Sequence, residues 1–243
     1  PVVSVVGSRQ TGKTVLVKNT FPDRDYVTLE DMDNREFAEK DPRGFLEDHS
    51  ESCIIDEIQR VPGLLSYMQG RVDKINKAGQ YIITGSQNLL VHHGISQTLA
   101  GRVATLNLMP FAFEELSGTA YSSGNIQDYI YKGLYPRIYD KKLRPVEWYP
   151  NYSQDYLEKD LRNLKSISDL SAFQSFLRLC AARTGQIVNY SSLAVDAGIN
   201  HNTAKAWLSI LESSYIVYFV RPYYKNYNKR IIKMPKIYFY DTG

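Results

Sequence analysis

Residues 2–14 read Val2-Val3-Ser4-Val5-Val6-Gly7-Ser8-Arg9-Gln10-Thr11-Gly12-Lys13-Thr14. The first five are mostly β-branched and apolar, which is typical of a buried strand. The next eight follow the pattern G-x4-G-K-T and predict a phosphate-binding loop directly after that strand. In such a loop the backbone N–H groups surround a polyphosphate, and the following helix presents its positive N-terminal end. This stretch therefore predicts an α/β nucleotide-binding domain.

Two side chains of this loop have specific predicted roles. Lys13 is expected to reach the β- and γ-phosphates of ATP, and Thr14 is expected to be a ligand of Mg²⁺. The other loop residues are predicted to line the phosphates through their backbone: Gly7, Ser8, Arg9, Gln10, Thr11 and Gly12. For the Arg9 side chain, solvent exposure is favoured over phosphate contact.

An apolar strand at residues 53–55 leads into Asp56 and Glu57. After a phosphate-binding loop, such an acidic pair predicts a metal ligand and a catalytic base. Asp56 is expected to hold Mg²⁺, and Glu57 to polarise the attacking water.

A further apolar strand at residues 81–84 ends in the polar residues Thr84, Ser86 and Asn88. In P-loop ATPases that use a catalytic glutamate, the corresponding strand lies between the strand before the phosphate-binding loop and the strand that leads into the acidic pair. One polar side chain then lies near the γ-phosphate, and Thr84, Ser86 and Asn88 are the candidates. A turn that caps a helix remains an equal alternative.

Arg102 follows a presumed helix and precedes a strand at residues 104–108. It is a candidate arginine finger, presented either within the chain or to a neighbouring subunit. A solvated arginine at a helix end is the equally weighted alternative. Oligomerisation is therefore an expectation of the first interpretation only.

Composition sets broad limits on function. The chain has 243 residues, a formal net charge of +3 and two cysteines, Cys53 and Cys180. Two distant cysteines in apolar segments argue against a disulfide framework, so a cytoplasmic protein is expected. No apolar run in the sequence approaches the ~20 residues of a membrane span, so no membrane span is expected. The four histidines have no partners at metal-ligand spacing along the sequence. Both ends of the sequence look truncated.

The order of elements predicts two domains. Strands at residues 2–6, 26–29, 53–55, 81–84 and 104–108 alternate with helical segments, which predicts a parallel sheet flanked by helices. A Ser/Gly-rich stretch then separates an ATPase domain, residues 1–120, from a mostly helical domain, residues 121–243.

The second domain is predicted to contain a winged helix-turn-helix. Helices flank Gly198, and strands at residues 215–220 and 236–240 would form the wing. Asn200, His201, Asn202, Thr203 and Lys205 are candidate DNA-contacting residues, together with the basic, tyrosine-bearing segment from Tyr223 to Lys233. DNA contact and a protein-interaction role remain equally open.

The whole pattern resembles a family of bacterial and archaeal AAA-superfamily ATPases in which a P-loop core is fused to a C-terminal domain of unknown function. The resemblance rests on the ordered series Gly7 to Thr14, Ile54-Ile55-Asp56-Glu57-Ile58-Gln59, Thr84-Gly85-Ser86, Leu99-Ala100-Gly101-Arg102, Pro110-Phe111-Ala112-Phe113-Glu114-Glu115-Leu116, Tyr135-Pro136-Arg137, Tyr156-Leu157-Glu158-Lys159-Asp160 and Lys236-Ile237-Tyr238-Phe239-Tyr240-Asp241-Thr242-Gly243.

This resemblance implies ATP and Mg²⁺ binding through Lys13, Thr14, Asp56 and Glu57, a polar sensor near Ser86, and a winged helix after the core. The expected function is ATP hydrolysis coupled to movement of the winged-helix domain on DNA or a protein partner. The alternative is a nucleotide-gated DNA-binding or regulatory switch with little turnover. Family members commonly carry a further nuclease-like segment and an N-terminal helix that this sequence does not contain.

Overall fold

The computed structural model describes residues 1–50, 52–75, 77–85, 98–156, 167, 169–223 and 233–243. The chain divides into two compact units, Pro1–Met109 and Pro110–Gly243. Within the described residues, each helix is too short or too polar to traverse a lipid bilayer.

The N-terminal unit alternates strands and helices. Its elements are β1 (Val2–Val6), α1 (Lys13–Thr20), β2 (Tyr26–Thr28), α2 (Met32–Lys40), α3 (Pro42–Asp48), β3 (Cys53–Asp56), a 3-10 turn (Ile58–Arg60), α4 (Leu64–Ile75), β4 (Tyr81–Gly85) and β5 (Val103–Asn107). All five predicted strands are present, within one or two residues of their predicted ends.

The five strands form one parallel sheet in the order β2-β3-β4-β1-β5. Strand β4 lies between the loop strand β1 and the acidic strand β3, as the sequence predicts. Val5 is in register with Thr84, and Val27 with Ile55. Because all carboxyl ends point the same way, the loop after β1 and the acids at the end of β3 meet at one edge of the sheet.

Helix α1 is held against the sheet by an apolar contact. Val17 packs in a buried cluster with Val5, Ile54 and Ile82. The cluster fixes the position of the helix whose first turn carries Lys13 and Thr14. Packing of the sheet thus sets the geometry of the predicted phosphate loop.

The C-terminal unit is mostly helical. Its elements are α5 (Phe113–Leu116), α6 (Ile126–Lys132), α7 (Pro136–Asp140), α8 (Pro145–Tyr156), α9 (Leu170–Ala182), α10 (Tyr190–Ala197), α11 (His201–Ser213) and the antiparallel strands β6 (Val217–Val220) and β7 (Lys236–Phe239). The residues that follow α8, 157–166, lie outside the described residues.

An aromatic core organises the first part of this unit. It is formed by Leu116, Tyr129, Tyr135, Ile138, Tyr139, Trp148 and Tyr152. Asp241, near the end of the chain, is tied to the same region: its carboxylate accepts hydrogen bonds from the Leu134 N–H at 2.6 Å and the Tyr149 hydroxyl at 2.5 Å. Burial raises the pKa of Asp241, and these donors oppose that rise.

We expect Asp241→Ala to lower the free energy of unfolding of the C-terminal unit by about 2–3 kcal/mol, because a hydrogen bond to a charged group contributes roughly 1.5–3 kcal/mol. The matched control is Asp140→Ala, whose exposed carboxylate pairs with the adjacent Lys141. It is expected to change stability by less than about 0.5 kcal/mol. Urea unfolding followed by tyrosine and tryptophan fluorescence measures both; equal effects would contradict the anchoring role.

Helices α9 to α11 and the two strands form the second part of the unit. Phe173 and Phe176 pack against Trp207, with ring centroids 5.0 and 5.4 Å apart. Gly198, with φ 66°, ends α10, and the Asn200 side chain caps α11 by accepting from the Thr203 N–H at 2.8 Å. An additional extended segment pairs with β7, since the Gly185 N–H donates to the Ile237 carbonyl at 2.7 Å.

Candidate functional site

The loop between β1 and α1 is closely packed at its first glycine. A Cβ atom on Gly7 would lie 2.0 Å from the Leu108 carbonyl oxygen, so any other residue would clash with the backbone there. Gly12 has φ 91°, in the left-handed region, and precedes α1. The Thr11 hydroxyl closes the loop by donating to the Ser8 carbonyl at 3.0 Å. Both glycines of the motif therefore have conformational reasons to be glycine.

We expect Gly7→Ala to lower the free energy of unfolding by about 1–3 kcal/mol, because the new methyl group must displace backbone atoms in a packed interior. The control is Gly70→Ala in α4, where an added Cβ meets nothing within 4 Å. Alanine is favoured in a helix, so this variant should be at least as stable as the unmodified protein. Thermal unfolding of the two variants side by side checks the difference; a Gly7→Ala protein as stable as Gly70→Ala would contradict it.

Lys13 is turned into the loop. Its ammonium donates to the Gly7 carbonyl at 3.0 Å and the Ser8 carbonyl at 2.7 Å, and the residue is only 6% exposed. A buried ammonium requires such oxygen partners. Phosphate oxygens offer the same kind of acceptor with a full negative charge, so the position suits recognition of a polyphosphate.

Asp56 is the centre of a hydrogen-bond network. Its Oδ2 accepts from the Thr14 hydroxyl at 2.8 Å and from the Tyr26 hydroxyl at 2.7 Å. Its Oδ1 accepts from the Thr84 hydroxyl and from the Glu57 N–H at 3.1 Å. The residue is 4% exposed, so these donors compensate the loss of water around a buried carboxylate.

Glu57 follows Asp56 in an uncommon backbone conformation, with φ 59° and ψ 44°. Its N–H is also held by the Thr84 hydroxyl at 3.3 Å, and the Gln59 side-chain amide donates to its carboxylate. A left-handed glutamate is unfavourable by itself, and such residues cluster at functional sites. Burial raises the pKa of Glu57, while the charges of Lys13 and Arg9 oppose that rise.

The donor set at this edge fits a hard divalent cation. The Thr14 hydroxyl and the Asp56 carboxylate already lie 2.8 Å apart, and both offer oxygen, the ligand that Mg²⁺ prefers. The structure thus brings together Lys13, Thr14, Asp56 and Glu57, with Thr84 joining the two acids. Ser86 and Asn88, predicted for the same edge, lie outside the described residues.

Arg102 lies at the opposite edge of the sheet. It precedes β5, whose first residue Val103 is in register with Val2, whereas the loop follows Val6. The five residues of β1 span about 16 Å, so Arg102 does not reach the loop of its own chain. Its guanidinium forms a two-point ion pair with Asp73, with Nη2 and Oδ2 3.0 Å apart. Action within its own chain is thereby excluded.

Tyr26 and Gln59 are site residues that the sequence analysis did not identify. Tyr26 begins β2, next to the acidic strand, and the Lys18 ammonium lies 3.4 Å above its ring centroid. Gln59 lies two residues after Glu57 in the sequence, but its contact with the Glu57 carboxylate depends on the local turn of the backbone.

The N-terminal unit is thus a P-loop NTPase-like α/β fold, with a phosphate loop and a buried acidic strand at the carboxyl edge of a five-stranded parallel sheet. Residues 1–117 match the family model described as an AAA domain. Residues 123–243 match a model described as a domain of unknown function (DUF8612).

Two curated mycobacterial proteins are similar over the whole chain. They are the uncharacterized proteins Mb2031c of Mycobacterium bovis and Rv2008c of Mycobacterium tuberculosis, each 28% identical over 100% of this chain and 55% of its own length. The chain therefore spans about half the length of the curated relatives it matches.

Similar solved structures include a signal-transduction ATPase with a tetratricopeptide-repeat sensor from Pyrococcus horikoshii, 17% identical, covering 98% of this chain and 38% of its own, with a TM-score of 0.29. Another is PCH-2 of C. elegans, 16% identical, covering 85% of this chain and 61% of its own, with a TM-score of 0.30. At these scores the likeness carries no functional argument.

Proposed function

We propose that this chain binds ATP with Mg²⁺ and hydrolyses it at the carboxyl edge of the sheet. The observation that carries the proposal is the Asp56 carboxylate, which joins the Thr14 hydroxyl of the loop helix to the Thr84 hydroxyl of β4 directly beside Glu57. A vestigial loop would have no reason to keep a buried carboxylate between these elements. The match to an AAA domain supports the same class of chemistry.

Each residue has a proposed task. Lys13 exchanges the carbonyls of Gly7 and Ser8 for phosphate oxygens and offsets their charge. Thr14 and Asp56 would hold Mg²⁺, which would supply positive charge to offset the charge that develops on the phosphate. Glu57 orients the attacking water and accepts its proton. Ser86 stays the candidate sensor, and Gly7, Ser8, Arg9, Gln10, Thr11 and Gly12 are proposed to line the phosphates.

The proposal is tested by the dependence of phosphate release on the metal. Purified protein with ATP is expected to release phosphate when Mg²⁺ is present and to stop when the metal is chelated. Asp56→Asn, which keeps the shape but removes the charge, is expected to require a higher Mg²⁺ concentration. Release that is unaffected by both changes would contradict the proposed site.

A second copy of the chain is proposed to supply Arg102. Because Arg102 lies on the far edge of the sheet from its own loop, a finger role requires a neighbouring subunit. We expect Arg102→Ala and Lys13→Ala proteins, each impaired alone, to regain part of the turnover when mixed, since some interfaces then combine an intact Lys13 with an intact Arg102. The control is Lys13→Ala mixed with a chain that carries both substitutions, because no subunit in this mixture keeps Lys13 and no recovery is expected. Recovery in the control, or none in the first mixture, would contradict action between subunits.

We infer that α9, α10, α11, β6 and β7 form a winged helix. The inference is supported by the short turn at Gly198 between α10 and α11 and by the antiparallel β6-β7 pair. It is further supported by the segment between α9 and α10, whose Val188 N–H donates to the Pro235 carbonyl at 2.9 Å. That third strand-like segment is the usual companion of a wing. We also propose that this winged helix moves when ATP is hydrolysed.

DNA is a second candidate partner, favoured by the exposed residues at the start of α11. Asn202 and Lys205 are exposed there, while Asn200 caps the helix and the His201 ring lies 3.2 Å from the Ser191 hydroxyl. Thr203 is half-buried, and residues 224–232 of the basic segment lie outside the described residues.

Duplex binding is expected to weaken steeply with salt, because phosphate contacts release counterions. Lys205→Ala should reduce both affinity and salt dependence. Binding that does not depend on salt, or no binding, would leave a protein partner as the target. Binding that requires ATP without turnover would favour the regulatory switch over the hydrolase.

A further inference from the structure

Three side chains of different chemistry converge at the amino edge of the sheet in the N-terminal unit. Asp25, His49 and Cys53 each direct one ligand atom to the same point, with all three atoms within 4.8 Å of one another. They come from the segment before β2, the end of α3 and the start of β3. His49 and Cys53 are four positions apart in the sequence, and the fold adds Asp25 to them.

The backbone fixes two of the three positions through the sheet. Tyr26 and Ile54 are in register on β2 and β3, so the residues before them, Asp25 and Cys53, are neighbours. The Ile54 N–H donates to the Asp25 carbonyl at 2.8 Å and locks this pairing. Both side chains are therefore placed by the hydrogen bonds of a parallel ladder.

The third position is set by the end of a helix. The His49 N–H donates to the Phe45 carbonyl at 3.2 Å as α3 ends. The imidazole packs on the buried Phe45 ring, with centroids 4.7 Å apart, and its Nδ1 lies 2.5 Å from Asp25 Oδ2. The ring is thus oriented toward the carboxylate and the thiol before any ligand is present.

Exposure decreases in order across the three groups. The Asp25 side chain is 48% exposed, the His49 side chain 20%, and Cys53 is fully buried. Solvent therefore reaches the cluster from the carboxylate side, while the sulfur side is closed. An ion can enter from that side and keep one water molecule as a ligand.

We propose that Asp25, His49 and Cys53 bind one Zn²⁺ ion. A thiolate, an imidazole and a carboxylate are the ligand types that Zn²⁺ takes, and water fills the fourth tetrahedral position. On binding, the thiol releases its proton to solvent, and the hydrogen bond between His49 and Asp25 gives way to two bonds to the metal. Mg²⁺ is a poor competitor because it prefers oxygen ligands in an octahedron.

The proposed ion is separate from the nucleotide site. Cys53 begins β3 and Asp56 ends it, about 10 Å further along the strand. The two sites also differ in chemistry, since the proposed Zn²⁺ site includes a sulfur ligand, Cys53, and the nucleotide site is built from nitrogen and oxygen groups. Zn²⁺ here would tie together β2, α3 and β3, the elements that carry Tyr26 and Asp56.

Cobalt substitution tests the proposal. The untagged chain of residues 1–243 is stripped with a chelator and titrated with Co²⁺, which reports thiolate coordination by a sulfur-to-cobalt absorption band in the near ultraviolet. We expect one Co²⁺ per chain with this band, displacement by one equivalent of Zn²⁺, and no displacement by a large excess of Mg²⁺.

The chain offers a matched control, because its only other cysteine, Cys180, is also buried. Cys53→Ala should abolish the band and Cys180→Ala should leave it unchanged. His49→Gln and Asp25→Asn should each weaken Zn²⁺ affinity by about 100-fold or more, above the 10–100-fold typical of outer-shell changes. The half-exposed Asp25 makes its variant informative even where Cys53→Ala fails to fold.

Several results would overturn the proposal. They are the absence of a sulfur-to-cobalt band in the unmodified protein, a band that survives in Cys53→Ala, and Zn²⁺ affinity that is unchanged in a folded Asp25→Asn protein. Each of these results would mean that the cluster does not bind Zn²⁺ and that it is a contact between Asp25 and His49 beside a buried thiol.

Discussion

Replacing Glu57 with glutamine is expected to lower the rate constant of ATP hydrolysis by about 10²–10⁴-fold, the usual contribution of a positioned general base, while ATP binding is retained. Glutamine keeps the size and hydrogen bonds of the side chain but does not accept a proton. Single-turnover hydrolysis and equilibrium ATP binding, measured on the same protein, separate the two effects. Burial raises the pKa of Glu57. As the pH is lowered, this carboxylate should therefore become protonated at a higher pH than an ordinary glutamate, and turnover by the unmodified chain should be lost there.

The control for this variant is Glu36→Gln. Glu36 lies on α2, is exposed and pairs with Lys40 one turn away. Its replacement should leave both binding and hydrolysis unchanged. A Glu57→Gln protein with unimpaired single-turnover hydrolysis would assign the general base to another residue. Loss of ATP binding in this variant would mean that Glu57 is needed to form the binding site and is not specific to hydrolysis.

Replacing Lys13 with alanine is expected to lower kcat/KM for ATP by about 10³-fold, at the upper end of the loss seen when one charge-stabilising donor is removed from a site. Lys13 is buried in the loop, where its ammonium donates to two backbone carbonyls. Both binding and turnover should fall, unlike in Glu57→Gln. Titration with a fluorescent ATP analogue and steady-state phosphate release measure the two components.

The matched control is Lys40→Ala, which removes an exposed ammonium from the same unit. It should bind and hydrolyse ATP as the unmodified chain does. If Lys13→Ala binds ATP normally, then the ammonium that donates to Gly7 and Ser8 does not exchange these carbonyls for phosphate.

The sheet could be predicted from the sequence because its strands are short, β-branched and buried. Val2 to Val6 and the run ending at Asp56 show this pattern directly, and the glycines of the loop mark the turn between strand and helix. The place of β4 between β1 and β3 was expected from the arrangement of P-loop ATPases that use a catalytic glutamate. The same arrangement made Thr84 one of the candidates for a polar side chain near the γ-phosphate.

Side-chain partners across strands could not be predicted in the same way. The Tyr26 hydroxyl reaches Asp56 because β2 and β3 are in register, and register is not visible in a three-residue strand. The ion pair of Arg102 with Asp73 depends on where α4 ends relative to β5. His49 joins Asp25 and Cys53 only through the helix end that precedes β3. All three depend on tertiary packing.

Steady-state phosphate release from ATP with Mg²⁺, measured in parallel for the unmodified chain, Lys13→Ala and Glu57→Gln, tests the account most directly. We predict turnover by the unmodified chain and a loss of at least about 10²-fold in each variant. Comparable residual release from all three proteins would contradict the claim that this site hydrolyses ATP.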